Sequence, residues 1–540
     1  MSHLSTDRTL QKAYKYSKNG NLEEASKLYS DILFKFPKNV RAKDGLINTH
    51  TFLASQHEYS LKSLLKQNQF QLAAQNAIKL SKKITHSCLI WEILGFSLFK
   101  LGQYKDSISA YKNILSIDPN SPEICLNVGL ALKASGNYGE AINFFEQAIN
   151  LKPTYPEAFN NIGIILMNNN DFDLAIDFFK KGILVKPNFS DLYNNLGNAF
   201  YLKKDFDKAI NIYEQGISVN DNCAELYNNL GNSLRSNNNI EKAIYSFTKA
   251  IEINSSFDEA YYNLGHTLKN TEFLTSNPNI QNMIITILNY KTYVRPIEIA
   301  QASISLIKKE LNINSICKKK SFEEVISILT KIPLLLELMG NCPIIDIELE
   351  NILRKLRSDL LLSCDSVNFD KKTIYFLSKL GLQCFINEFV YNINEEENNA
   401  LNKLEYLVEL SISKGLQPNI QYILCIATYK ALFKFDWIHS FKVDDSISNI
   451  YNMQVHEPLE EKSLKFKIPM LNDVTNKISS KVKSQYEKYP YPRWVNTNLA
   501  LKPLPVSNIM KQIGLRINDK SIYIKKDPKI LVAGCGTGQQ

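Results

Sequence analysis

The chain has few of the residues that build metal centres and disulfide frameworks. Among its 540 residues are seven histidines, none paired at metal-ligand spacing, and nine cysteines without a C-x-x-C pair. An odd number of scattered cysteines predicts neither a zinc site nor a disulfide framework, and favours a reducing compartment, the cytoplasm. We therefore expect no bound metal. No nucleophile–base motif occurs either, so the catalytic residues stay unknown.

Long apolar runs and a strong charge of one sign are also missing. The N-terminus lacks a signal-peptide core, and the most apolar stretches, such as 332–338 with Glu337, are too short to cross a bilayer. The formal charge is +9, and the basic residues are scattered apart from a short run at 318–320. No aromatic–basic stripe accompanies this run, so we do not expect a nucleic-acid partner. Because the apolar stretches are short, we do not expect a membrane partner either.

What the chain does contain is a repeat with a period of 34 residues. The repeated glycines are Gly95, Gly129, Gly163, Gly197, Gly231 and Gly265. Small residues follow at Ser107, Ala141, Ala175, Ala209 and Ala243, and aromatic residues at Tyr111, Phe145, Phe179, Tyr213 and Phe247. We expect the glycines and the other small residues where two antiparallel helices cross closely, and the rings between one hairpin and the next. Pro119, Pro153 and Pro187 end a helix, because proline lacks the N–H that a continuing turn needs.

This pattern resembles the tetratricopeptide repeat, a helical hairpin that must stack on its neighbours to bury its apolar face. We assign residues 88–270 to a solenoid of such repeats and residues 1–87 to degenerate copies. Residues 40–53 break the register, and we expect an odd helix there.

Asparagine recurs two positions before the repeat glycine in five copies, whereas the first copy has Ile93. These residues are Asn127, Asn161, Asn195, Asn229 and Asn263. The side chain has a donor and an acceptor, so a row of them could hold the backbone of an extended peptide. The motif YNNLGN at 193–198 and 227–232 resembles the repeats of O-linked N-acetylglucosamine transferases, which implies that the five asparagines bind a protein segment on the concave face. The alternatives are solvated asparagines, or a repeat consensus inherited without a ligand.

The 34-residue repeat ends after the solenoid at 88–270. Apolar residues at helical spacing then predict an all-helical middle domain over 275–475. Its segment 383–397 resembles a helical region between the repeats and the catalytic domain of some bacterial repeat–methyltransferase fusions. The alternative is an ordinary core helix.

The motif YEKYPYPRW at 486–494 contains two prolines, which exclude a regular helix and extend the residue before each. In the fusion family that it resembles, a similar motif introduces the methyltransferase domain. The resemblance makes Tyr491, Arg493 and Trp494 candidates for the rim of an active site. The alternative is a packed connection between domains.

An apolar segment at 529–533 reads as a strand, and a glycine-rich loop follows it. The loop residues are Gly534, Cys535, Gly536, Thr537 and Gly538. Their G-x-G-x-G spacing differs from the dinucleotide fingerprint G-x-G-x-x-G, and no P-loop is present. The loop resembles the first motif of class I S-adenosylmethionine-dependent methyltransferases, which implies that these five residues bind S-adenosylmethionine. That family usually has an acidic residue where Val532 stands.

The sequence thus predicts a mostly α chain: a tetratricopeptide superhelix, an all-helical region, and at 480–540 only the first strand of a Rossmann-like α/β domain. One parallel strand cannot complete a sheet. We therefore expect the N-terminal part of a longer methyltransferase, inactive by itself, whose repeats recruit an extended protein or peptide. Two other interpretations stay open: a non-catalytic interaction scaffold, and a glycosyltransferase-associated repeat protein.

Overall fold

Helices form the described part of the chain, as its apolar periodicity predicted, and no strand occurs there. The computed structural model describes residues 3–269, 271–290, 294–311, 316, 321–440, 442–443 and 446–465. The predicted strand at 529–533, the loop at 534–538, and Tyr491, Arg493 and Trp494 lie outside these residues. None of the described helices is long and apolar enough to cross a membrane. The chain divides into two compact units, Met1–Asn238 and Asn239–Gln540.

The first unit is a succession of helices in which each packs against the next one along the chain. They are α1 (His3–Lys18), α2 (Leu22–Lys35), α3 (Val40–Lys66), α4 (Phe70–Ser81), α5 (Cys88–Lys100), α6 (Tyr104–Ile117), α7 (Pro122–Ala134), α8 (Tyr138–Leu151), α9 (Pro156–Asn168), α10 (Phe172–Val185), α11 (Ser190–Leu202), α12 (Phe206–Val219) and α13 (Ala224–Ser236). From α5 onward, odd-numbered helices are the first helices of the predicted hairpins. The predicted 34-residue period is therefore a helical hairpin.

The repeated glycine and the repeated aromatic residue meet inside one hairpin. A Cβ atom on Gly95 would lie 2.8 Å from the ring of Tyr111, and one on Gly197 would lie 2.5 Å from the ring of Tyr213. Glycine is therefore required because the ring of the second helix occupies the space above the first helix. The glycines thus lie at the expected close approach of the two helices, whereas the rings, which we expected between one hairpin and the next, reach over the glycine of their own hairpin.

Helix α3 explains the break in register near the N-terminus. Residues 40–53 do not form a separate odd helix. They lengthen the helix that continues to Lys66, so α3 has 27 residues and is about 40 Å long. Its first half packs in a core with Tyr29, and its second half contributes Ala54 and Leu61 to the next core. One helix therefore serves two successive hairpins.

The second unit begins with two helices in the repeat pattern and then changes. Its helices are α14 (Ile240–Ile253), α15 (Asp258–Leu268), α16 (Pro278–Tyr290), α17 (Ala300–Glu310), α18 (Phe322–Leu329), α19 (Pro333–Asn341), α20 (Ile347–Ser363), α21 (Lys371–Ile386), α22 (Glu395–Ser413), α23 (Ile420–Ala427), α24 (Ser448–Tyr451) and α25 (Glu457–Lys465). A π turn, Asn452–His456, joins α24 to α25. The region thus continues as helices without the 34-residue period.

Helix α21 is the centre of this second unit. Every residue over 376–386 is buried, so the helix has no solvent-exposed face in that stretch. It contacts α18, α19, α23 and α24. A helix surrounded on all sides is typical of the core of a globular domain and not of a repeat array.

The segment 383–397 forms a corner between two helices. It contains the end of α21, the turn residues Glu388 and Phe389 at positive φ (59° and 57°), and the start of α22. Asn394 caps α22, its side chain accepting from the backbone N–H of Glu397 at 2.8 Å. The segment is thus neither a single core helix nor an extended linker.

Candidate peptide-binding face

The repeated asparagines lie at the same register of successive first helices. Four of them, which we call the asparagine row, belong to the first unit: Asn127, Asn161, Asn195 and Asn229. All four are half-buried. Asn263, on α15 of the second unit, is only 6% exposed. Its predicted peptide contact stays a prediction, and its burial separates it from the other four.

Two residues of the row hydrogen bond across repeats. Asn195 donates through Nδ2 to Oδ1 of Asn160 at 2.8 Å, and Asn229 donates in the same way to Asn194 at 2.9 Å. These bonds join neighbouring first helices. No role was predicted for Asn160 or Asn194, although the doublet N-N directly before the repeat isoleucine or leucine was the signal for it.

The same two side chains keep unused hydrogen-bonding capacity. Within the described ranges, no group bonds to Oδ1 of Asn195 or of Asn229. A primary amide has two N–H donors, and the bond to the preceding repeat uses only one of them. Each of these residues therefore retains one acceptor and one donor, the pair that a peptide group complements.

Asn161 is engaged differently, although it occupies the same register. Its Oδ1 accepts from Nζ of Lys133 at 2.8 Å, and its Nδ2 donates to the carbonyl of Glu157 at 2.8 Å. Lys133 lies on α7 of the preceding repeat and is half-buried. Burial lowers the pKa of its ammonium group. At this point the row therefore presents a partly desolvated cation instead of an amide.

Further asparagines stand three residues after Asn195 and Asn229, on the same helix face. Asn198 accepts a hydrogen bond from the hydroxyl of Tyr213 at 2.7 Å, and Asn232 accepts from Nη2 of Arg235 at 2.9 Å. The Tyr213 bond explains why tyrosine replaces phenylalanine in this repeat. These side chains extend the polar surface beside the row.

A serine–histidine pair near the N-terminus invites comparison with a catalytic dyad. Oγ of Ser26 and Nε2 of His50 are 2.7 Å apart, and Nδ1 of His50 accepts the backbone N–H of His86 at 3.1 Å. Because Nδ1 accepts, the neutral ring has its proton on Nε2 and donates it to Ser26. A general base needs an unprotonated nitrogen facing the hydroxyl. The pair is therefore arranged as a structural hydrogen bond.

No cluster of three or more potential metal ligands occurs among the residues that the structure describes.

Family models identify the repeats. The tetratricopeptide repeat matches residues 90–121, 156–189 and 190–223, and a second model, described as TPR repeat, matches 129–170 and 231–271. These residues are tetratricopeptide repeats. A model described as PPR repeat matches residues 14–34, within the region predicted to hold degenerate copies.

Solved structures are similar to parts of the chain, among them two that are described as tetratricopeptide or TPR proteins. MamA is 27% identical and spans 31% of this chain and 92% of its own, with a TM-score of 0.28. A tetratricopeptide repeat protein from Parabacteroides merdae is 19% identical over 49% of this chain and 99% of its own, with a TM-score of 0.31. YrrB, described as a TPR protein with an unusual peptide-binding site, is 18% identical over 35% of this chain and 96% of its own, with a TM-score of 0.28. No curated protein matches the chain.

Proposed function

We propose that the first unit is an interaction scaffold whose asparagine row binds an extended protein segment on the concave side of the repeats. The observation that carries this proposal is the unused acceptor and donor on Asn195 and Asn229. An extended peptide exposes one N–H and one C=O per residue, and an asparagine side chain can bond to both. Because these bonds read the backbone, the partner is defined mainly by its extended conformation.

Peptide binding to the whole chain tests the proposal. A random 12-residue peptide library displayed on phage would be selected against the chain, and the enriched peptides would be synthesised. We expect Asn195→Ala and Asn229→Ala each to weaken binding about fivefold to tenfold, the value of one or two lost hydrogen bonds. Replacing Asn161 as well should weaken it further.

Matched controls come from exposed asparagines on second helices. Asn143→Ala and Asn211→Ala remove the same amide from α8 and α12, where both residues are exposed. Their affinities should equal that of the unmodified chain. Equal losses in row and control variants, or no enriched peptide at all, would refute the proposal. Unchanged melting temperatures would show that the array stays folded.

A second candidate function comes from the sequence outside the described residues. We propose that Gly534, Cys535, Gly536, Thr537 and Gly538 bind S-adenosylmethionine, and that the native gene product is a repeat–methyltransferase fusion. The supporting features are the G-x-G-x-G loop behind an apolar segment and the YPYPRW motif before it. When bound, S-adenosylmethionine would supply an electrophilic methyl group, and Tyr491, Arg493 and Trp494 would line the site.

Calorimetric titration of S-adenosylmethionine into the native gene product tests this second candidate. Gly536→Val should abolish binding, because a side chain would block close approach of the backbone to the ligand. NAD is the control ligand and should not bind. Absence of S-adenosylmethionine binding would leave the scaffold function alone.

We also propose a cytoplasmic setting, since Cys88, Cys125 and Cys223 are free thiols, and cell fractionation would test it.

A further inference from the structure

Lys133 has a charge that the first unit does not neutralise. Its ammonium group hydrogen bonds to the neutral amide of Asn161 at 2.8 Å. Within the described part of the chain it forms no ion pair with a carboxylate. An ammonium group has three N–H donors, so two remain after the bond to Asn161. Partial burial disfavours a cation unless an anion or further acceptors compensate for the lost water.

Lys133 differs in its contacts from the equivalent residues of the following repeats. At the period of 34, Met167 and Tyr201 are uncharged, and Arg235 is a cation that donates to Asn232 of its own helix. Asn161 is likewise the member of the row whose carbonyl oxygen is already occupied, and its amide also bonds to its own helix at Glu157. Asn161 therefore does not serve a ligand backbone as Asn195 does. It holds the ammonium of Lys133 in place beside the row.

We propose that Lys133, held by Asn161, binds the carboxylate of one aspartate or glutamate in the extended segment that occupies the asparagine row. This inference rests on the proposed peptide-binding function. A carboxylate would accept the remaining N–H donors of the ammonium, and charge-assisted bonds of this kind are about twice as strong as neutral ones. The site thus adds a preference for one acidic side chain to a surface that otherwise hydrogen bonds to the ligand backbone.

The packing of the repeats fixes where the acidic residue lies in the bound segment. Neighbouring first helices contact each other directly, and packed helices lie about 8–10 Å apart. An extended chain advances about 3.3 Å per residue, so successive repeats meet the ligand about every three residues. The acidic residue should therefore be about three residues from the one bound at Asn195 and about six from the one at Asn229.

The test uses the same random 12-residue library, selected against the unmodified chain and against Lys133→Met. Peptides from the unmodified chain should share one Asp or Glu, and those from Lys133→Met should not. A selected peptide would then be synthesised with Glu and with Gln at that position. We expect the Glu peptide to lose about tenfold in affinity on Lys133→Met, and the Gln peptide to be unaffected.

Lys105→Met, on the exposed surface of α6, is the matched control and should change neither affinity. Peptides that lack an acidic preference but still depend on Asn195 and Asn229 would overturn the role of Lys133 and leave the peptide-binding function intact. If no peptide is enriched by the unmodified chain, both proposals fail. Equal losses for the Glu and Gln peptides on Lys133→Met would also overturn the carboxylate site.

Discussion

Gly129 on α7 lies directly beneath the ring of Phe145 on α8, so that a Cβ atom on Gly129 would come within 2.5 Å of ring carbon Cε1. Phe145 is fully buried, and its ring has no room to move away. The absence of a side chain at Gly129 therefore sets the distance between the two helices of this hairpin.

Replacing Gly129 with alanine should destabilise the first unit although alanine is the better helix former. The propensity gain is about 1 kcal/mol, whereas overpacking a filled core costs about 1–3 kcal/mol. We expect a net loss of about 1 kcal/mol in the free energy of unfolding measured with urea. Phe145→Leu should restore part of it in the double variant, because the smaller side chain removes the clash.

Gly139→Ala supplies the control within the same hairpin. Gly139 lies in α8, and a Cβ atom there would meet nothing within 4 Å. This variant should gain about 0.5–1 kcal/mol, since only the helix propensity changes. Equal effects of the two alanine substitutions would contradict the steric role of Gly129.

The repeats could be predicted in detail because each of their positions recurs. Gly129 and Phe145 were identifiable as repeat positions from spacing alone, but their contact within one hairpin came from the structure, because the rings were expected between one hairpin and the next. The bond from Asn195 to Asn160 was not predicted, because only the asparagines two positions before the repeat glycine were considered. Asn160 stands three positions before its glycine and was given no role. The role of Lys133 was also missed, since it depends on a contact between residues 28 apart on different helices.

The second unit was predictable only as helical. Its side-chain hydrogen bonds join residues that are far apart in the sequence and do not belong to a repeat. Gln421 donates to the carbonyls of Cys364 at 2.6 Å and Val367 at 3.0 Å, more than fifty residues earlier in the chain. Arg357 is 1% exposed, although a charged residue in an amphipathic helix is normally predicted to face solvent. The peptide-binding role of the asparagine row stays a prediction, and the predicted cofactor loop lies outside the described residues.

His50 predicts a pH dependence of the stability of the first unit. It is 2% exposed, and burial, with His86 as a second cause, lowers its pKa to about 4 from an ordinary value of 6.5. A lowered histidine pKa favours the folded state above pH 6.5, and this contribution is lost as the pH falls from 6.5 towards 4. Protonation would also eliminate the acceptor for the N–H of His86. Burial, with Lys43 as a second cause, lowers the pKa of His86, and Lys43 adds positive charge nearby.

We expect the free energy of unfolding to be lower by about 2 kcal/mol at pH 5 than at pH 7 from this residue alone. His50→Gln should lack this component, since glutamine does not titrate. His57→Gln changes an exposed histidine of the same helix and should retain it. Chemical unfolding of the three proteins at both pH values measures the difference. Parallel pH profiles for all three would exclude His50 as the cause.

In the second unit, removing Glu397 should cost more than removing its cationic neighbour. The guanidinium of Arg357 lies 4.1 Å from the ring centroid of Tyr429, and its Nη2 donates to the carbonyl of Asn392 at 2.9 Å. The closest carboxylate contact is with Glu397 at 3.8 Å. Glu397 in turn accepts from the hydroxyl of Tyr429 at 2.7 Å and from the N–H of Asn394 at 2.9 Å.

Arg357→Met leaves a carboxylate that is still hydrogen bonded and removes a guanidinium whose Nε and Nη1 have no hydrogen-bond partner among the described residues, so we expect a loss below about 3 kcal/mol. Glu397→Gln leaves a buried guanidinium without a counter-charge, and we expect a loss of about 3 kcal/mol or more. Urea unfolding measures both, with exposed Arg354→Met as the control. A larger loss for Arg357→Met than for Glu397→Gln would reverse this interpretation.

Gln454 in the π turn should be essential to the centre of the second unit. Its Nε2 donates to the carbonyls of Gly381 at 2.9 Å and Ala427 at 3.0 Å, and its Oε1 accepts from the N–H of Leu432 at 3.2 Å. Gln454 itself is fully buried, so Gln454→Leu would leave the carbonyl of Ala427 and the N–H of Leu432 without this partner where water does not reach, whereas the carbonyl of Gly381 lies inside α21 and keeps its helical bond. Each orphaned group costs about 1–3 kcal/mol, and we expect a loss of at least about 2 kcal/mol.

The same substitution at Gln417 is the control for the loss of a side-chain bond to a backbone N–H at the surface. Oε1 of Gln417 accepts from the backbone N–H of Lys442 at 2.7 Å, but Gln417 is exposed, so water replaces the lost bond. Gln417→Leu should therefore cost less than about 1 kcal/mol. Amide hydrogen exchange gives a local measurement: Leu432 should exchange faster in Gln454→Leu and at the original rate in Gln417→Leu. If Leu432 stays equally protected in both variants, its N–H does not depend on Gln454, and the π turn must be stabilised by packing alone.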